Sequence, residues 1–194
     1  MTDFRQKTPV RSTGVPKVET YSKYKPQLRV DFHERCGYCG DHDFFRETYY
    51  EIDHFVPKDF LKTISLTEYS NLVYSCRLCN NHKRKKWPTG DETIHNDGVQ
   101  GFIDPCDLSY PAQFERLSDG SIYAKTPLGN WMWSALNFGH PAHRLKWKIE
   151  KLKILLDELG KIEMDSIDEL KAYKELSTTY LELEEQLRGK PNFA

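Results

Sequence analysis

Two Cys-x-x-Cys pairs, Cys36-Gly37-Tyr38-Cys39 and Cys76-Arg77-Leu78-Cys79, stand 36 residues apart in this chain and constrain its fold more than any other feature. In each pair the chain turns so that two thiolates can face one cation. Two such knuckles make a closed, tetrahedral, four-cysteine zinc site, which serves structure because no position is left for water. Bringing residues 36–39 against 76–79 forces everything between them into a compact loop of chain. Gly37 and Gly40 relieve the tight turn at the first pair. A single pair would fit chance or a redox role, and a disulfide framework does not suit a chain with no readable secretory signal. The fifth cysteine, Cys106, reads as an ordinary core or loop residue.

Charge divides the chain in a way its net −1 conceals. The first 90 residues carry +5 and residues 91–194 carry −6. A chain so divided can hold a polyanion with one half and contact a protein, or keep itself soluble, with the other. The longest aliphatic run is Ile154-Leu155-Leu156, far short of the roughly 20 apolar residues of a membrane helix. No apolar segment follows the charges in Met1–Val10, so no membrane association and a cytoplasmic location are expected.

Three regions are expected. Residues 1–27, with Pro9, Pro16, Pro26 and scattered Lys and Arg, read as an extended basic arm. Residues 28–90, dense in Cys, His and aromatics, read as a compact unit ending at the loop signals Trp87-Pro88-Thr89-Gly90. Residues 91–194 are expected to hold a short hairpin, Phe114–Leu117 and Ile122–Ala124 about Asp119-Gly120, then two helices. The first has Pro141 at its start, a stripe of Leu145, Ile149, Leu152, Leu156 and Leu159, and Gly160 at its end. The second opens with a Ser166/Glu169 capping box and carries Ile167, Leu170, Tyr173, Leu176, Tyr180, Leu183 and Leu187 on one side. Such a hairpin packs on its own domain or offers an interface to a partner. Trp131 and Trp133 read as core residues, and His140 and His143 as surface or capping residues.

Between the knuckles, Tyr49 to Pro57 begins as a strand and stops at a proline, with Asp53 and His54 adjacent. In a regular strand they face opposite ways, and a distortion or strand end would let both serve one cleft. Asn71-Leu72-Val73-Tyr74-Ser75 reads as a second strand entering the second knuckle, and Asn80 to Lys86 as a basic helix.

The segments CGYC (36–39), EIDHFVPK (51–58), NLVYSC (71–76) and CRLCNNHK (76–83) resemble those of HNH endonucleases, in the subgroup where a four-cysteine zinc site frames a ββα-metal fold. The resemblance spans about residues 30–88 and implies an α+β architecture: a ββα-metal nuclease unit framed by zinc, followed by a mostly helical C-terminal region. It implies hydrolysis of DNA phosphodiester bonds with Mg²⁺ or Mn²⁺ as catalytic ion, leaving 5′-phosphate and 3′-hydroxyl ends. His54 matches the general base, since imidazole titrates near neutral pH. Asp53 matches a carboxylate ligand of the divalent ion. Asn71 matches the middle asparagine that orients the base or braces the strands.

At the third position the family often has His directly after the last cysteine, and here stands Asn80, with His82 two residues on. A helix advances 100° per residue, so positions 80 and 82 cannot face one metal, whereas Asn80 and Lys83 share a face. Asn80 is therefore expected as the second metal ligand rather than His82, and Lys83 as a catalytic residue close to the phosphate. Arg84, Lys85 and Lys86 are expected to bind the DNA backbone in a salt-dependent way because they follow the catalytic helix, although a basic run in isolation is more often a solvated face. Lys17, Lys23 and Lys25, interleaved with Tyr21 and Tyr24, extend that expected footprint. Phe102-Ile103-Asp104-Pro105 and Asn137-Phe138 loosely resemble the region behind the nuclease unit in small bacterial HNH proteins of Septu-type phage defence. That implies a partner ATPase, or a homodimer, at the C-terminal helices. The alternative to an enzyme is a non-catalytic zinc module that binds nucleic acid or protein.

Overall fold

The computed structural model describes residues 4–45 and 50–189, which leaves Tyr49 and residues 1–3 outside the described residues. Helix α1 (Lys25–Asp31) leads into the first knuckle. Strands β1 (Tyr50–His54) and β2 (Leu72–Cys76) pair antiparallel, with Tyr50 opposite Cys76 and His54 opposite Leu72. Helix α2 (Arg77–Lys83) follows β2 without a loop, because Cys76 is at once the last strand residue and the N-cap, its sulfur accepting from the Cys79 amide. This ββα unit runs from the second knuckle at one end to His54 at the other.

The helix stops earlier than its basic composition predicts. Arg84 leaves it with φ at 46°, and Trp87 is buried against Phe55 and Phe102, so packing turns the chain inward after Lys83. In the first knuckle Gly40 has φ of 76°, while Gly37 is pressed so closely on Phe32 and Val73 that a Cβ would lie 2.6 Å from the Phe32 ring. The first glycine supplies a backbone angle and the second supplies room.

The C-terminal region contains the hairpin β3 (Phe114–Arg116) and β4 (Ile122–Ala124), then α3 (Pro127–Ala135), α4 (Pro141–Leu159) and α5 (Ile167–Arg188). Helix α3, opened by the Thr126 cap, was not expected from the sequence: its stripe is short and aromatic, and Trp131 packs on Phe102 while Trp133 donates to the Ile122 carbonyl. In α5 the capping box forms, and Tyr173, Leu176, Tyr180, Leu183 and Leu187 turn inward. Ile167 and Leu170, expected on that face, are instead exposed in the first turns of the helix.

One apolar cluster joins all three regions. Phe4 packs on Tyr110, Phe114 and Phe138, and Leu28, Tyr38, Tyr74, Trp87, Phe102, Met132 and Ile149 belong to the same buried set. The core is therefore continuous across residue 90. Residues 5–20 lack regular structure yet lie on the body: Arg11 donates to the Leu72 carbonyl and to both oxygens of Asp104, and Ser12 holds Asp31. A small ββα unit gains buried surface from such wrapping that it could not build alone.

Candidate nuclease site and zinc centre

Cys36, Cys39, Cys76 and Cys79 are all buried and unbridged, with their sulfurs within 4.8 Å of one another. Cys39 Sγ and Cys76 Sγ lie 3.8 Å apart. Tetrahedral zinc with Zn–S of about 2.3 Å separates two sulfurs by roughly that distance, so the donor set fits the ion in number, chemistry and spacing.

Along β1, Glu51 and Asp53 project from one face, two residues apart, onto α2. Asn80 donates to Glu51 (2.7 Å), and Lys83, one turn further along the same helix face, reaches Asp53 (2.8 Å). Asp53 is buried. Its Oδ2 also accepts a 2.5 Å bond from the hydroxyl of Tyr38, one of the two residues between Cys36 and Cys39. Both bonds fall on one oxygen, Oδ2. Glu51, Asp53 and Asn80 thus lie on one sheet–helix face. These hard oxygen donors suit Mg²⁺, which takes one or two carboxylates and keeps much of its water.

Lys83 departs from its expected position near a phosphate. It is fully buried, with its ammonium shared between Asp53 and the His54 carbonyl (2.8 Å) and flanked by the rings of Tyr38 and Phe102. Its charge is spent on the carboxylate inside the protein, because α2 lies flat on β1 and the residue at this register points at the sheet.

His54 belongs to a different set of contacts. Its Nε2 lies 2.9 Å from the Leu66 carbonyl, and its ring meets the edge of Tyr21 at 4.8 Å. A carbonyl oxygen only accepts, so Nε2 carries the proton and Nδ1 keeps its lone pair. Burial lowers the His54 pKa, with Lys58 and Lys83 adding to the effect against the opposing Leu66 carbonyl and Asp53. Asn71 braces the strand exit just beyond it: its Oδ1 accepts from the Val56 amide (2.8 Å) and its Nδ2 donates to the Val56 carbonyl (3.2 Å).

His82 points elsewhere, with Nε2 3.0 Å from Asn137 Nδ2. Of the basic run, Arg84 is exposed and donates to Asn81, Lys85 is exposed with Asp59 at 3.6 Å, and Lys86 donates its ammonium to the Ala135 carbonyl. His140 caps α4, accepting from the Ala142 amide. His143 is buried, not superficial, with Nδ1 2.8 Å from Asp41 beside the knuckle.

Residues 36–86 match the family model for HNH endonuclease. These residues form an HNH domain. No curated protein and no solved structure matches the chain. The HNH domain coincides with the segment from first to last knuckle and the basic exit from α2. No helix among the described residues is long and apolar enough to cross a membrane.

Several residues that shape the HNH domain carried no readable signal. Tyr38 was visible as the filler of a CxxC pair, but only the fold aims its hydroxyl at Asp53. Glu51 shared a strand face with Asp53, and its bond to Asn80 needed the helix to arrive. Glu92, outside the matched segment, accepts from the amides of Lys62 and Thr63 and from the Thr63 hydroxyl. It thereby clamps the loop whose Leu66 carbonyl holds His54. Those bonds bring the Glu92 pKa down to about 2, led by the Lys62 amide.

Proposed function

We propose that the protein is a metal-dependent endonuclease that hydrolyses DNA phosphodiester bonds, with His54 as general base. The observation that carries this reading is the hold on the imidazole: Nε2–H donates to the Leu66 backbone carbonyl (2.9 Å), which leaves Nδ1 as the ring nitrogen with a lone pair. Such a ring can take a proton from water, and the Leu66 carbonyl then stabilises the imidazolium that forms. Asp53 and Asn80, with Glu51 beside them, would hold the divalent ion, Mg²⁺ or Mn²⁺, which when bound relieves charge on the phosphoryl oxygens. Asn71 keeps the strand exit, and with it the base, in place. Lys83 fixes Asp53, and Arg84, Lys85 and Lys86 bind the phosphate backbone. In this reading the protein works in the cytoplasm in phage defence, and the partner is an ATPase or a second copy at the C-terminal helices, where Ile162, Ile167, Leu170 and Leu181 stay exposed.

A non-catalytic zinc module draws support from one observation, the occupation of Asp53 Oδ2 by both Lys83 and Tyr38. A plasmid-cleavage assay with Mg²⁺ or Mn²⁺ separates the two. His54→Ala should lose about 10²–10⁴ in rate while keeping its zinc and its DNA affinity. Asn80→Ala should lose activity and His82→Ala should not. Wild-type protein that fails to cut, or His54→Ala that cuts equally fast, would leave the binding module as the better account.

A further inference from the structure

The zinc centre is surrounded by buried cations that come from outside the HNH domain. Four thiolates around Zn²⁺ carry a net −2, and Asp41, buried two residues beyond Cys39, adds a third negative charge. Three positive side chains converge on this stretch. Arg5, from the N-terminal segment, donates to the carbonyls of Gly37 (2.7 Å) and Tyr38 (3.3 Å), and its Nε is sealed from water. Arg116, from β3, is 4% exposed, donates to the Cys39 carbonyl (2.7 Å) and lies 3.6 Å from Asp41. Lys146, from α4, approaches Asp41 to 3.6 Å from a side chain only 14% exposed. Other acidic groups nearby have cations of their own: Glu150 pairs with Arg35, Asp104 with Arg11 and Asp43 with Arg29.

We infer that Arg5, Arg116 and Lys146 are the outer electrostatic shell of the zinc centre, so that the N-terminal segment and the C-terminal region hold the metal by neutralising its buried charge. An uncompensated charge of −2 in a dry interior is strongly disfavoured, and with these three cations and Asp41 the formal charge comes to zero. Burial works against the Lys146 ammonium, but Asp41 and the thiols of Cys76, Cys39 and Cys79 outweigh it, so the side chain stays cationic. His143 meets Asp41 through its Nδ1 (2.8 Å) and is not counted among the three cations. The arrangement gives the wrapping a role at the metal: all three cations come from outside residues 28–90.

The inference rests on the four thiolates holding zinc and not on nuclease activity, and it is tested by zinc affinity in the full chain, read by competition with a chromophoric chelator. Lys146→Met should bind zinc about 10–100-fold more weakly, the usual cost of losing an outer-shell partner. Lys146→Arg, which keeps the charge, should stay near wild type, as should Lys153→Met on the exposed side of the same helix. The deciding variant is the double Lys146→Met/Asp41→Asn. It restores neutrality and keeps an acceptor for His143, so most of the lost affinity should return. A packing role for Lys146 predicts the opposite, since a second change would add to the first. Wild-type affinity in Lys146→Met, or a double variant weaker than the single, overturns the charge shell; wild-type protein without zinc overturns the whole centre. Cleavage activity enters none of these readouts.

Discussion

Lys83→Met removes the cation at the centre of the sheet–helix contact while keeping an unbranched apolar chain of similar length. Lys83 is fully buried, its ammonium is 2.8 Å from Asp53 Oδ2 and 2.8 Å from the His54 carbonyl, and aromatic faces lie 5.6 Å (Phe102) and 5.9 Å (Tyr38) away. Without it Asp53, 7% exposed, keeps among the described residues the Tyr38 hydroxyl as its hydrogen-bond donor for a full negative charge. Breaking a buried pair from one side costs about 3–5 kcal/mol, because the remaining charge is stranded. That is a large part of the roughly 5–15 kcal/mol that stabilises an ordinary domain. Urea denaturation with zinc in excess, followed by tryptophan fluorescence, should show this loss as a lower midpoint at unchanged slope. The double variant Lys83→Met/Asp53→Asn should recover most of it, since neither charge is then left unpaired. A single variant within about 1 kcal/mol of wild type would show that Lys83 is not committed to Asp53, and would return it to solvent and to the phosphate.

Tyr38→Phe should keep its zinc and fold but bind the divalent ion less well, raising the Mg²⁺ concentration for half-maximal cleavage; an unchanged Mg²⁺ dependence would sever the link from knuckle to Asp53. Because burial lowers the His54 pKa and the base acts when neutral, the acid limb of kcat/KM should lie below pH 6.5. The same depression means that the unfolded chain takes up a proton first as pH falls below 6.5, so acidification should cost stability there; a limb above 6.5 would contradict the burial argument. Glu92, with its pKa lowered to about 2, should support the 62–64 loop fully above pH 4.5 and lose that support as pH falls toward 2. Glu92→Gln should therefore speed hydrogen exchange at the Lys62 and Thr63 amides at neutral pH, and equal exchange would refute the clamp. Lys85→Ala should flatten the salt dependence of DNA binding by about one unit of slope, whereas an unmoved slope would make Lys85 a solvated residue.

The pattern of cysteines, the DH–Asn–CxxCN order and the helix punctuation were legible without coordinates, because each is local chemistry. Two knuckles 36 residues apart require closure, Ser166 with Glu169 caps a helix wherever that helix lies, and the 100° step separates Asn80 from His82 before any packing is known. The α4–α5 hairpin was readable for the same reason, since leucines at spacings of three and four make a stripe in any context. What surrounds those groups was decided only in three dimensions. Lys83 looked like the first of four phosphate contacts, and the register of α2 on β1 buried it against Asp53. Arg5 and Arg11 looked like parts of a basic arm, yet backbone carbonyls and Asp104 hold them on the body. Tyr38, Leu66 and Glu92 act on the site through one hydroxyl, one carbonyl and one carboxylate whose partners are 15, 12 and about 30 residues away. A sequence encodes periodicity and ligand spacing in neighbouring residues, so those survive in one dimension. Charge compensation and the aim of a buried hydrogen bond depend on which distant atoms share a dry interior, and the fold alone determines that.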